Sequence, residues 1–177
     1  MNYFELFDIP VQLSVEKGSL TRKFYQLSRE YHPDHHSNSS ADRQESVLQQ
    51  SSQVNKAYKI LQNTDETIKY VLQLKGLLHE EEKYDLDPDF LEQMMDINEA
   101  LMELQMDPND IKLEDAESMT KELIHKIYAD VGLIIENYKE GITSEEELLH
   151  VKEYYYRKKY LQRILDKIGG MRNIAGL

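Results

Sequence analysis

The 177-residue chain has no cysteine. That absence excludes a disulfide, a thiolate zinc site, a thiolate nucleophile and thiolate ligands for an iron–sulfur cluster held by the chain itself. Glycine (7) and proline (4) are scarce, and alternating β-branched runs are few, so long helices are favoured over sheets. The expected class is all-α. No window approaches the roughly 18 apolar residues of a membrane span, and Met1-Asn2-Tyr3-Phe4-Glu5 is not a basic stretch followed by an apolar one, so a cytoplasmic protein without a membrane partner is expected. A basic excess is missing too. The net charge is −12, and the imbalance is local: residues 1–76 hold 9 Lys and Arg against 9 Asp and Glu, residues 77–177 hold 12 against 24. A nucleic-acid footprint needs a basic face, so nucleic acid is not an expected partner. With no Gly-rich phosphate loop, His-Glu-x-x-His motif or cysteine nucleophile, no catalytic residue, resident metal or cofactor is expected. The asymmetry points instead to two modules with different partners.

Apolar periodicity divides the chain further. Tyr3-Phe4-Glu5-Leu6-Phe7 forms a short apolar turn, and Ser14 is a candidate cap for the next helix. There Leu20, Phe24, Leu27 and Tyr31 make one stripe, with Arg22, Gln26 and Arg29 on the opposite side; the helix is expected to end at His32, before Pro33. After a polar turn to Ser40, Val47, Val54, Ala57 and Leu61 mark a third helix, and Asn63 caps a fourth that ends at Gly76. Leu77 to Asp87 carries Glu80-Glu81-Glu82 and no helical stripe, and reads as a linker. Asp87 and Pro88 then open a helix with the stripe Phe90, Met94, Ile97, Leu101 and Leu104. A longer helix carries Ile124, Ile127, Val131, Ile134 and Tyr138 up to Gly141. The last, capped by Thr143 or Ser144, carries Val151, Tyr154, Leu161, Leu165 and Ile168 and ends at Gly169-Gly170. The expected division is residues 1–76, a linker over 77–87, and a three-helix bundle over 88–177.

Two sequence features carry chemistry. The tripeptide His32-Pro33-Asp34 ends a helix with a basic outer face and places a carboxylate at a loop tip, where a partner arginine could read it bidentately. On the helix from Pro88, Leu91, Met95 and Met102 form a second apolar strip beside the core stripe, and Glu92, Asp96, Glu99 and Glu103 line its far edge. An apolar strip rimmed by acids suits a partner-binding face. Tyr156 and Tyr160 face away from the core stripe of the last helix, and tyrosine is a frequent interface anchor. The alternatives are a helix stop with a solvated charged face, and residues that only complete the bundle or pack on the first module. His32, His35 and His36 could also mark a metal site, but a solvated loop is the reading adopted, because no thiol or further acidic shell is near in sequence.

Tyr3-Phe4-Glu5-Leu6-Phe7, Tyr25-Gln26-Leu27-Ser28-Arg29-Glu30-Tyr31-His32-Pro33-Asp34 and Asn55-Lys56-Ala57-Tyr58-Lys59-Ile60-Leu61 together resemble the J domain. The resemblance implies a helical hairpin with short flanking helices that docks on a DnaK-type ATPase chaperone and stimulates its ATPase. The implied docking residues are His32, Pro33, Asp34, Arg22, Lys23 and Arg29. His35 departs from the family, where lysine often follows the aspartate; with His36 it makes a pH-sensitive contribution to docking conceivable. Neither a Gly/Phe segment nor Cys-x-x-Cys repeats follow Gly76. The acidic bundle, through Tyr70-Val71-Leu72-Gln73-Leu74-Lys75-Gly76 and Asp89-Phe90-Leu91-Glu92-Gln93-Met94-Met95, resembles the HscB family of iron–sulfur cluster assembly. This implies an HscA-type chaperone partner and an IscU-type scaffold protein, bound through Leu91, Glu92, Met95, Asp96, Glu99, Glu103 and Tyr156. Glu92 stands where the family often has an apolar residue. A J-domain protein with an unrelated client and a non-chaperone helical interaction protein remain the alternatives.

Overall fold

The computed structural model describes residues 1–175, all helix and connection, with no β-strand among them. The helices are α1 (Tyr3–Leu6), α2 (Lys17–Glu30), α3 (Ala41–Leu61), α4 (Thr64–Leu74), α5 (Pro88–Met106), α6 (Asp110–Glu136) and α7 (Glu145–Ala175), with a 3-10 turn, Pro33–His36, between α2 and α3. They form two units: Met1–Leu78 with Ile135–Ser144, and His79–Ile134 with the described chain from Glu145 on.

In the first unit α2 and α3 make the expected hairpin. Leu20 and Leu27 of α2 and Val47, Val54, Ala57 and Leu61 of α3 are buried. Phe24 stacks on Tyr58 at 4.0 Å between centroids, and the Thr21 and Tyr58 hydroxyls lie 3.2 Å apart. Tyr70 of α4 stacks on Tyr3 at 4.6 Å, and its hydroxyl accepts the Tyr3 N–H at 3.0 Å. Asn63 caps α4 through Glu66 N–H, and the buried Thr67 hydroxyl lies 2.8 Å from the Asn63 carbonyl and 3.0 Å from that of Ile60. The end of α4 is closed by Gly76 at φ +69°. The Leu77 N–H reaches the Leu72 carbonyl at 2.9 Å and the Gly76 N–H that of Gln73 at 3.0 Å, a pairing that requires the left-handed residue between them. The Ile135–Ser144 segment is tied in by the Lys75–Glu140 ion pair, and the Tyr138 hydroxyl donates to Glu140 at 2.6 Å.

Two boundaries of α2 differ from the sequence reading. Its cap is Glu16 rather than Ser14: the carboxylate accepts the Gly18 and Ser19 N–H groups, each at 2.7 Å, and these bonds hold it below the usual carboxylate range. The helix stops at Glu30, two residues before His32, whose extended backbone (φ −74°, ψ 127°) is what a residue preceding proline adopts.

In the second unit Asp87 caps α5, accepting from Asp89 and Phe90 N–H groups, and Pro88 occupies the first turn where no N–H is needed. The stripe Phe90, Met94, Ile97, Leu101 and Leu104 is buried throughout. On α6, Ile127 and Val131 are buried as expected, but the next large apolar side chain to be buried is Ile135, in the first unit, rather than Ile134, because a four-residue step keeps the stripe in phase. The helix ends at Glu136, so Tyr138 lies beyond it. On α7, Ile164 replaces Leu165 in the buried series, and the helix runs through Gly169-Gly170 to Ala175. Glycine weakens a helix interior by about 1 kcal/mol. Here Ile168 is buried before the pair and Arg172 binds Glu117 at 2.5 Å after it, so packing on both sides carries the helix across.

Candidate functional site

Pro33 fixes the turn on which the loop depends. The Asp34 N–H donates to His32 Nδ1 at 3.2 Å, so a neutral His32 ring carries its proton on Nε2. Asp34 Oδ2 lies 3.7 Å from the same nitrogen, yet the side chain remains 88 % exposed. The loop is braced from both flanks. His36 Nε2 donates to the Glu30 carbonyl at 3.0 Å, and the Gln44 side-chain amide donates to the Ser37 and Ser39 carbonyls at 2.9 and 3.0 Å. His35 stands edge-on to His32, with centroids 5.7 Å apart. The result is a fixed backbone presenting a carboxylate to solvent, which suits recognition by a planar, charged donor.

Along α2, Arg22, Gln26 and Arg29 are exposed. The Arg29 Nε–H donates to the Tyr25 carbonyl at 3.3 Å, which orients its guanidinium. Lys23 differs from its neighbours: it is half-buried, and its ammonium lies 3.9 Å from Asp8. Like His32 beside Asp34, it already faces a carboxylate of its own chain.

The second cluster lies on α5. Leu91, Met95 and Met102 are exposed at 36, 69 and 61 %, although all are apolar. Glu92, Asp96, Glu99 and Glu103 are also exposed and form an acidic ridge beside that strip. The far side of the ridge faces a further feature that periodicity does not reveal. Between α5 and α6 runs a groove of about 590 Å³, with Ile97, Ala100 and Leu104 on one wall and Ala116, Met119 and Leu123 on the other. Helical periodicity gives the direction of each residue, but not how closely two helices approach.

Tyr156 is half-buried and engaged within its own unit. Its ring stacks on Tyr84 at 4.4 Å with planes 3° apart, and its hydroxyl donates to Glu82 Oε2 at 3.2 Å. Glu82 also accepts from Lys152 Nζ at 2.6 Å, and that ammonium sits 5.5 Å above the Tyr84 ring. The Lys152 bond holds the Glu82 carboxyl below its usual range, while burial and then the Glu82 charge push the Tyr156 phenol up to about 12. The acidic run that reads in sequence as part of a linker is therefore strapped to α7 through Glu82. A partner some seventy residues away in sequence leaves no periodic signal; the trace it does leave is Lys152, a lone cation at a buried position of α7, 8 % exposed.

Comparison with known families decides what these two clusters belong to. The family described as "DnaJ domain" matches residues 2–70, and "HSCB C-terminal oligomerisation domain" matches residues 86–169. The chain belongs to the HscB family of J-domain co-chaperones. HscB-family relatives agree along the length of the chain. The co-chaperone protein HscB homolog of Vibrio cholerae is 27% identical over 173 residues, covering 96% of this chain and 100% of that protein. That of Acinetobacter baylyi is 29% identical over 168 residues, covering 95% and 89%. Human co-chaperone HscB aligns in structure with a TM-score of 0.80 at 27% identity, over 97% of this chain and 82% of that one. The chaperone HscB structure from Vibrio cholerae gives 0.77 at 22% identity over 99% of each, which supports the fold. As an HscB-family member the chain is a J-domain co-chaperone, and no helix among the described residues is long and apolar enough to cross a membrane.

Proposed function

We propose that this HscB-family protein docks on a DnaK/HscA-type ATPase chaperone, stimulates its ATP hydrolysis and delivers an IscU-type iron–sulfur scaffold to it in the cytoplasm. The J domain over residues 1–76 faces the chaperone, and the bundle over 88–177 holds the scaffold, with 77–87 joining them. One observation carries the reading: the same HscB-family chain displays a braced, 88 % exposed Asp34 and, in its other unit, an exposed Leu91/Met95/Met102 strip edged by carboxylates.

The division of labour follows from the chemistry of each cluster. Asp34 accepts a bidentate arginine pair, His32 and Pro33 hold its backbone, and Arg22, Lys23 and Arg29 meet an acidic face of the chaperone. Lys23 must exchange Asp8 for that face, so it contributes less than the two arginines. On α5, Leu91 and Met95 supply apolar contact, while Glu92, Asp96, Glu99 and Glu103 fix orientation by pairing with scaffold cations. Tyr156 contributes through the part of its ring left open beside the Tyr84 stack. The chain performs no chemistry on ATP or on the cluster; its effect is on a partner's hydrolysis.

A binding titration with the purified scaffold tests the client half of this reading. The double variant Leu91→Ala/Met95→Ala removes two exposed anchors, and affinity is expected to fall about tenfold or more, the effect of losing roughly 1.4 kcal/mol. Unchanged affinity would remove α5 from the scaffold site.

A further inference from the structure

Helix α5 carries two apolar surfaces, one on each side of its acidic ridge. The Leu91/Met95/Met102 strip is one, and the α5/α6 groove is the other. The groove extends from Gln93 to Asp107, about 20 Å at 1.5 Å per residue. Its floor is apolar, and Met119 on the α6 wall is 56 % exposed. Its rim bears Asp96, Glu103, Asp107 and Asp115 against a single cation, Lys112. None of these five is in an ion pair among the described residues. Four carboxylates against one ammonium around an apolar floor leave a net negative rim, complementary to a segment that is both basic and apolar and unfavourable to an acidic one.

Asp96 and Glu103 belong to both surfaces, since they form part of the ridge and also line the groove. A cation paired with either one sits astride α5, and the residues beside it in the ligand's sequence fall to opposite sides. We propose that the scaffold's contact does not end at the ridge: a basic, apolar segment of it crosses α5 and fills the α5/α6 groove against Ile97, Leu104, Met119 and Leu123. This rests on the scaffold-binding reading above and extends it to a second face and to the chemistry of the bound segment.

The methionines make the two claims separable. Full-length protein labelled with ¹³C at the methionine methyls, assigned by single Met→Leu substitutions, is titrated with the purified IscU-type scaffold. Met95 and Met102 report the strip, and Met119 reports the groove. All three signals are expected to shift with one common midpoint. If Met95 and Met102 shift while Met119 stays fixed, scaffold binding stands and the groove extension fails. Movement of Met119 alone removes the strip and with it the crossing of α5, which overturns the proposal, and silence at all three removes both surfaces. A Met119 signal that moves with protein concentration before any scaffold is added assigns the groove to a second copy and overturns the proposal. Met119→Lys, an exposed substitution checked for helix content by circular dichroism, is expected to weaken scaffold binding by about tenfold through repulsion of the basic segment. Undiminished binding by this variant would also overturn it.

Discussion

Replacing Glu82 with glutamine removes the countercharge of a lysine that has little access to water. The Lys152 side chain is 10% exposed and that of Glu82 24%, so the pair is partly rather than fully desolvated. Breaking a fully buried pair costs about 3–5 kcal/mol, whereas a hydrogen bond to a charged group is worth about 1.5–3. The residual exposure places Glu82→Gln in the lower range, about 2 kcal/mol of destabilisation of the second unit at neutral pH. The amide still accepts from Tyr156, so most of this cost comes from the stranded ammonium. Adding Lys152→Met removes that ammonium and substitutes an apolar side chain of similar length. The double variant is therefore expected within about 1 kcal/mol of wild type, and more stable than the single one. Urea unfolding followed by circular dichroism measures both values.

The same pair sets a pH dependence. Glu82 is held below its ordinary range, so its contribution is complete above the unfolded carboxylate value of about 4.3 and disappears as pH falls through the lowered folded value. The difference between wild type and Glu82→Gln should shrink across that acid window and be constant from about pH 6 to 8. A Glu82→Gln variant as stable as wild type, or a double variant less stable than the single, would refute the claim that the strap is held by a desolvated ion pair.

Other substitutions probe the framework. Gly76→Ala meets no atom within 4 Å of the added carbon, so its cost is the left-handed backbone alone, about 1–2 kcal/mol by equilibrium unfolding. Met94 is fully buried in the α5 stripe, and Met94→Ala is expected to cost about 2–5 kcal/mol through lost burial and the cavity left behind, measured by the same unfolding assay.

The parts of the fold governed by local chemistry are legible in the residues themselves. Asn63 and Asp87 stand out as caps because a short polar side chain followed by a new apolar period leaves few other roles, and both accept the expected N–H groups. The α5 stripe is legible in full because 19 residues keep a regular period between two firm ends. Glu16 is hidden behind Ser14, since a carboxylate caps α2 by bonding two N–H groups that no preference scale singles out. The shift from Ile134 to Ile135 reflects phase along a 27-residue helix, where a small error in angle per residue becomes a whole position. The candidate loop is legible down to Asp34. The Glu82–Lys152–Tyr156 strap and the α5/α6 groove are not, because each depends on the approach of elements far apart in sequence.

The most direct test of the central claim is single-turnover ATP hydrolysis by the cognate DnaK/HscA-type chaperone, with wild-type protein and with Asp34→Asn. The substitution preserves the shape of an exposed side chain and removes the charge that an arginine would read. Wild type is expected to accelerate hydrolysis, and Asp34→Asn to lose at least about tenfold of that stimulation, the consequence of weakening one charge-assisted bidentate pair by roughly 1.4 kcal/mol. Equal stimulation by the two proteins would contradict the account.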